Sequence, residues 1–224
     1  MTSSPTWMPS SPEAVPYAAL GALLTGLDRD QEAEPLLRQA LKLDSNNDVA
    51  LMMLADIRLR AGDAKEAVAL ARRATNNKDA PLAAWLLRVL AERAAGDNAG
   101  ALASLDHILE LEPLHLGALI ERAEIRIANG NKDQAIQDLG AAEPLIKGDR
   151  PNASRVAAAY ELAGKTEEAR RVAQFAGLIK TTNDAGDGIK VVGSPEEIEA
   201  ANSEDLETSR KALEGLLIKN PNNA

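Results

Sequence analysis

Two histidines, His107 and His115, are the first residues to test for metal or proton-transfer chemistry. They flank the turn around Pro113. Histidines four residues apart on one helix face hold a metal because the helix fixes their geometry. A pair divided by a turn has no such rigidity, so both read as ordinary surface or turn residues. The chain has no cysteine, which excludes disulfides and thiolate metal sites. Asp28-Arg29-Asp30 and Asp44-Ser-Asn-Asn-Asp48 carry the acids of calcium loops. The second lacks the central glycine and terminal glutamate of such a loop, and reads as a helix-capping turn. Gly186-Asp187-Gly188 has neither the lysine of a phosphate loop nor the spacing of a dinucleotide fingerprint. No serine-nucleophile motif occurs. The expectation is a chain without catalytic residues, metal or cofactor, whose function resides in a surface.

The elements that would build that surface are written as two combs. Ala33, Ala67, Ala101, Ala135 and Ala169 stand 34 residues apart. Gly62, Gly96, Gly130 and Gly164 precede the later four by five residues, with Asp28 in the corresponding place before Ala33. A period of this length is that of a stacked helix–turn–helix unit. The first helix of each unit reads Tyr17-x3-Gly21, Leu51-x3-Ala55, Trp85-x3-Val89, Leu119-x3-Ala123 and Ala153-x3-Ala157. In four of the five, a large apolar residue thus lies one turn before a small one. The glycine ends that helix, since it enters the left-handed region without a Cβ penalty. The second helix carries an apolar stripe, Ala33, Leu37 and Ala40 in the first unit and Ala101, Leu105 and Ile108 in the third. Small comb residues let the two helices approach closely.

These positions resemble the tetratricopeptide repeat: an aromatic-x3-small pair, the glycine, Ala-x3-Leu-x2-Ala and a closing proline. Trp85, Gly96, Ala101, Leu105 and Pro113 carry the resemblance best, and it extends over about residues 13–178. It implies an all-α, right-handed superhelical solenoid of antiparallel helix pairs with a concave groove lined by the first helix of each pair. It also implies protein binding rather than catalysis. Arg88 and Arg122 stand where the family prefers leucine, and Lys147 where it prefers proline. Pro144 is expected to end its helix early, whereas Pro35 is expected to lie near enough to its helix start to be tolerated.

The same resemblance implies which residues would grip a ligand. Carried onto this chain, they are Met52, Met53, Asp56, Leu86, Leu87, Leu90, Arg93, Ile120, Glu121, Glu124 and Arg155, together with smaller residues such as Ala18, Ala19 and Ser154. Met52 and Leu86 also suit core between neighbouring helices. A contiguous apolar set on one helix face suggests docking, and methionine adapts to varied partners. The ligand expected is an amphipathic helix or apolar peptide of another protein. Asp56, Glu121 and Glu124 favour a basic residue beside its apolar anchor. The Lys/Asn carboxylate clamp of chaperone-binding relatives is missing, so acidic chaperone tails are not expected to bind. The other readings are self-association through the same face, and a regulatory or substrate-presenting arm of a larger enzyme such as a glycosyltransferase or hydroxylase.

Composition agrees with stacked helices. Aromatic residues make up 2% of the chain and charged residues 26%, and no long Val/Ile alternation predicts a sheet. A formal charge of −9 speaks against nucleic acid or an anionic membrane as partner. No apolar run is long enough to insert in a bilayer. No export signal is present, which points to the cytoplasm, or to the periplasm if a leader or anchor has been trimmed. The expected organisation is a flexible tail over 1–10 and five repeats over 11–178, with Ser11-Pro12-Glu13 starting the first helix. A linker with a short extended stretch at Ile189–Val192 follows over 179–193. Residues 194–224 form either a degenerate sixth repeat or a capping helix pair, with Leu206, Leu213, Leu216 and Leu217 at helical spacing.

Overall fold

A computed structural model describes residues 11–77, 79–175, 182–183 and 189–190. Among these, ten α-helices follow one another: α1 (Ala14–Gly26), α2 (Asp30–Leu43), α3 (Asp48–Arg60), α4 (Ala64–Ala74), α5 (Leu82–Ala94), α6 (Asn98–Leu111), α7 (Leu116–Ala128), α8 (Lys132–Ala142), α9 (Arg150–Leu162) and α10 (Thr166–Phe175). The one pairing of strands is a two-residue antiparallel ladder in which Thr182 faces Lys190 and Asn183 faces Ile189. The expected tail, the sixth repeat and the helices after Ser194 lie outside the described residues.

Each hairpin of helices is made by the comb glycines. Gly62, Gly96, Gly130 and Gly164 have φ between +74° and +84°, and Asp28 takes the same left-handed turn at φ 57°. The amide after each returns to a carbonyl of the last helical turn: Arg29 to Leu24, Asp63 to Arg58, Asp97 to Glu92, Asn131 to Arg126 and Lys165 to Tyr160, all at 2.8–2.9 Å. That 6→1 bond satisfies carbonyls the helix end would otherwise strand. Asp63 and Asp97 then start the next helix, their side chains accepting from the amides of Glu66 and Gly100. First helices are capped in the same way, by Asn47 on α3, His115 on α7 and Asp149 on α9. The Asp44–Asp48 stretch is therefore a capping turn.

The comb alanines are all buried, as are Gly21, Ala55, Val89, Ala123 and Ala157 on the first helices. The closeness is tightest at Gly21, where an added Cβ would lie 2.5 Å from Leu37 Cδ2. Ala101 has no exposed surface, so Ala101→Leu should overpack its hairpin and destabilise by about 1–3 kcal/mol in a denaturant melt. Pro144 ends α8 as expected, and the chain tightens into a 3₁₀ turn over Glu143–Leu145. Pro35 behaves differently from expectation. It is the sixth residue of α2, beyond the first turn, and the helix runs through it. Gln31 and Pro35 are both solvent-exposed, so the carbonyl left without its amide can bond to water. Ser11 and Pro12 lie outside α1, which begins at Ala14, whose amide donates to Ser11.

The chain divides into two compact units, Met1–Ile108 and Leu109–Ala224. In the first, α3 packs on α1, α2, α4 and α5 around Leu37, Leu51, Leu54 and the small residues of the combs. In the second, α7 packs on α8 and α9, and α9 on α8 and α10.

Candidate protein-interaction face

In the first unit, α1, α3 and α5 lie side by side, and residues 34 apart in sequence become neighbours across them. On α3, Val49, Met52, Met53, Asp56 and Arg60 fall within about 100° of arc at 3.6 residues per turn. Core residues Leu51, Leu54 and Ala55 occupy the other side. The corresponding residues of α5 are Ala83, Leu86, Leu87, Leu90 and Ala94. Met52, Met53, Leu86 and Leu87 are half-buried, and Leu90 is 52% exposed. Met52, Met53 and Leu87 rest on the core of this unit, so each serves packing at its base and presents the remainder outward. Arg93 is half-buried on the edge of the same helix.

In the second unit the same columns look different. Ile120 has no exposed surface at all, and Glu124 is 5% exposed. Both therefore belong to the interior rather than to a surface offered to a ligand. Glu124 accepts two bonds from Arg155, Nε at 2.9 Å and Nη2 at 3.0 Å. Burial works against the charge of Arg155, but these bonds outweigh it and hold its pKa above the ordinary value. Glu121 lies half-buried beside this pair. Asp56 in the first unit is likewise engaged, 3.1 Å from Arg60, which also reaches Asp30 at 2.9 Å. The acids expected to attract a basic partner are thus largely neutralised by the chain itself, and what stays open is apolar.

The sequence reading passed over two buried carboxylates. Glu92 has no exposed surface, accepting from Arg72 at 3.1 Å and Arg88 at 3.0 Å on one oxygen and from Ser104 at 2.7 Å on the other. Bonding to Glu92 raises the Arg72 pKa above the ordinary range. Asp138 receives Arg122 through two bonds of 2.6 and 3.1 Å and Arg126 through one of 2.7 Å. The signal available was the pair of arginines at leucine positions, 88 and 122. The histidines have structural roles: His115 Nδ1 accepts from the Ala118 amide, and His107 packs against Trp85 with ring centroids 4.0 Å apart and the planes tilted by 40°. Among the described residues, no group of three or more His, Cys, Asp or Glu could hold a metal ion, and no helix is long and apolar enough to cross a membrane.

Profiles described as tetratricopeptide repeat match residues 29–90 and 86–154. The chain belongs to the tetratricopeptide repeat family. Solved structures with the same fold include MamA, with a TM-score of 0.64 at 18% identity over 73% of this chain and 89% of that one. YrrB is another, with a TM-score of 0.63 at 19% identity over 73% and 84%, and is described as a TPR protein with an unusual peptide-binding site. At these identities the likeness shows the fold alone. A curated relative, Superkiller complex protein 3 of Mus musculus, is 27% identical over 168 residues, or 74% of this chain. This tetratricopeptide chain spans 11% of the length of that relative.

Proposed function

We propose that this chain is a non-catalytic protein-interaction scaffold or adaptor that binds an apolar peptide or amphipathic helix across α1, α3 and α5. The observation that carries the reading is the apolar column Met53–Leu87, with Leu90 standing 52% exposed beside it. Scattered surface leucines need no explanation, but a set aligned across neighbouring helices is the form of a docking face. The peptide-binding site attributed to YrrB supports the same use of the fold. Because Asp56 is held by Arg60, the face selects its ligand by apolar anchors rather than by charge. A second reading, an arm of a larger assembly, is supported by the match to a small part of a far longer relative.

The test is a displayed peptide library selected on the wild-type chain. Enriched peptides should show apolar residues at helical spacing and bind Leu87→Asp/Leu90→Asp at least about tenfold more weakly, as expected when central anchors are lost. Circular dichroism checks that the variant is folded. Peptides that bind the folded variant as well as wild type would overturn the face.

A further inference from the structure

α1 is the one helix of the ten whose residues, Ala14–Gly26, include no charged side chain. Its inner side holds the buried Ala14, Ala18, Gly21 and Thr25. The outer side holds Pro16, Leu20 and Leu23, with Leu27 just past the helix end, all within about 60° of arc at 3.6 residues per turn. Leu20 is 48% exposed, Leu23 61% and Leu27 57%, and Tyr17 at the edge of the stripe is 39% exposed. This stripe lies about 100° around the helix from Val15, Ala19 and Ala22, the residues α1 contributes to the concave face.

The repeat shows what residues in these positions do elsewhere. One period on, Leu54 and Ile57 stand on α3 where Leu20 and Leu23 stand on α1, and both are buried. Leu51, in the position of Tyr17, is buried as well. Arg88 follows Leu54 in that column on α5, and its Nη1 donates to Thr75 Oγ1, at the end of α4, at 3.0 Å. The column thus faces the second helix of the preceding hairpin, which for α3 is α2. Among the described residues no helix precedes α1, so it carries the apolar side chains of an internal contact at the start of the first unit. The end of a stacked-repeat chain needs a polar outer face to stay soluble. α1 has the reverse.

We propose that a second copy of this chain covers the outer face of α1, the two α1 helices packing antiparallel about a two-fold axis. Charge selects a copy as occupant. At a formal charge of −9, two copies repel wherever their acids meet, and the other four first helices all carry acids. An uncharged α1 lets them approach. The stripe is also self-complementary. Its centre lies between Leu20 and Leu23, so a two-fold axis sets Leu20 against the partner's Leu23 and Leu27 against the partner's Pro16, the isologous arrangement of a closed dimer. The exposed side chains amount to about 400–500 Å² on each copy, as large as the largest patch on an ordinary monomer. Two such faces approach the lower limit of about 1,000 Å² for a specific interface, so the dimer should dissociate reversibly in the micromolar range. This proposal does not rest on the concave-face reading.

Sedimentation equilibrium of the full-length chain, from low micromolar to near-millimolar concentration, tests it. The average mass should rise from 23.7 kDa towards twice that value. Leu20→Asp/Leu23→Asp should weaken dimerisation at least about tenfold. Both side chains are already half exposed, so the variant should fold, which circular dichroism checks; Leu27→Asp replaces it if it does not. Leu20→Lys mixed with Leu23→Glu should dimerise more tightly than either variant alone, because the new charges meet across the axis. A mass of 23.7 kDa at every concentration overturns the proposal. So does a dimer that Leu20→Asp/Leu23→Asp leaves intact. A dimer disrupted instead by Leu87→Asp/Leu90→Asp would put the contact on the concave face and overturn it too, and no gain on mixing would overturn the antiparallel register.

Discussion

Glu92→Ala should lower the stability of the first unit by about 3–5 kcal/mol, the cost of removing the buried carboxylate to which its cationic partners are bonded. Glu92 joins three helices: Arg72 reaches it from α4, Arg88 is on its own helix α5, and Ser104 donates from α6. The three partners would not suffer equally. The Arg72 side chain is 47% exposed and also holds Asp97 at 2.6 Å, so it can turn to water. Arg88 is 21% exposed and keeps its bond to Thr75 and its place 5.2 Å over the Trp85 ring, neither of them an acid, while Ser104 is wholly buried. Most of the loss thus comes from Arg88 and Ser104. Replacing Arg88 and Glu92 together by leucine removes both charges and should recover the part of the loss owed to Arg88, as buried pairs exchanged for apolar residues commonly do, while Ser104 still lacks its acceptor. A urea titration of the single and double variants measures both effects. If Glu92→Ala cost under about 1 kcal/mol, in the range of exposed pairs, the network would have to be regarded as solvated.

What the sequence showed and what it hid follow from the range of the interactions. The combs were legible because Ala67 or Gly96 answers a local demand: a helix crossing too close for a larger side chain, and a turn that requires positive φ. Each recurs wherever that demand recurs. The column of Met53 and Leu87 was legible for the same reason, as position on a helix is periodic. Whether a column is open was not legible. Leu86 and Ile120 hold the same position on corresponding helices and are both apolar, yet the first is half-buried and the second has no exposed surface. Charge partners divide likewise. Asp56 and Arg60 are one turn apart and could have been paired from spacing alone. Glu124 and Arg155 are 31 residues apart and meet only because α7 packs on α9. Pro35 shows the reverse: its place beyond the first turn was visible, but the exposure that makes it tolerable was not.

The second large effect is expected at Asp138, which stands 34 residues after Ser104 as Arg122 does after Arg88 and Arg126 after Glu92. The third and fourth helix pairs thus use the same three positions, but the acid has moved from the first helix to the second. The fifth pair fills them with Val156, Tyr160 and Val172, all buried, so the fold accepts apolar residues there as readily as charged ones. Asp138→Ala would remove the buried carboxylate beside Arg122 and Arg126, whose side chains are each 18% exposed, and should cost about 3–5 kcal/mol. Asp138→Asn should cost less, since the amide oxygen still accepts one bond, but it cannot answer both guanidinium groups. The triple variant with leucine at 122, 126 and 138 should be far more stable than Asp138→Ala alone. That ordering, read from urea midpoints, is what a charge-compensation role requires. If the triple variant were no more stable than Asp138→Ala, the carboxylate would be irreplaceable for its shape, and neutralisation of Arg122 would not explain why an acid sits at 138.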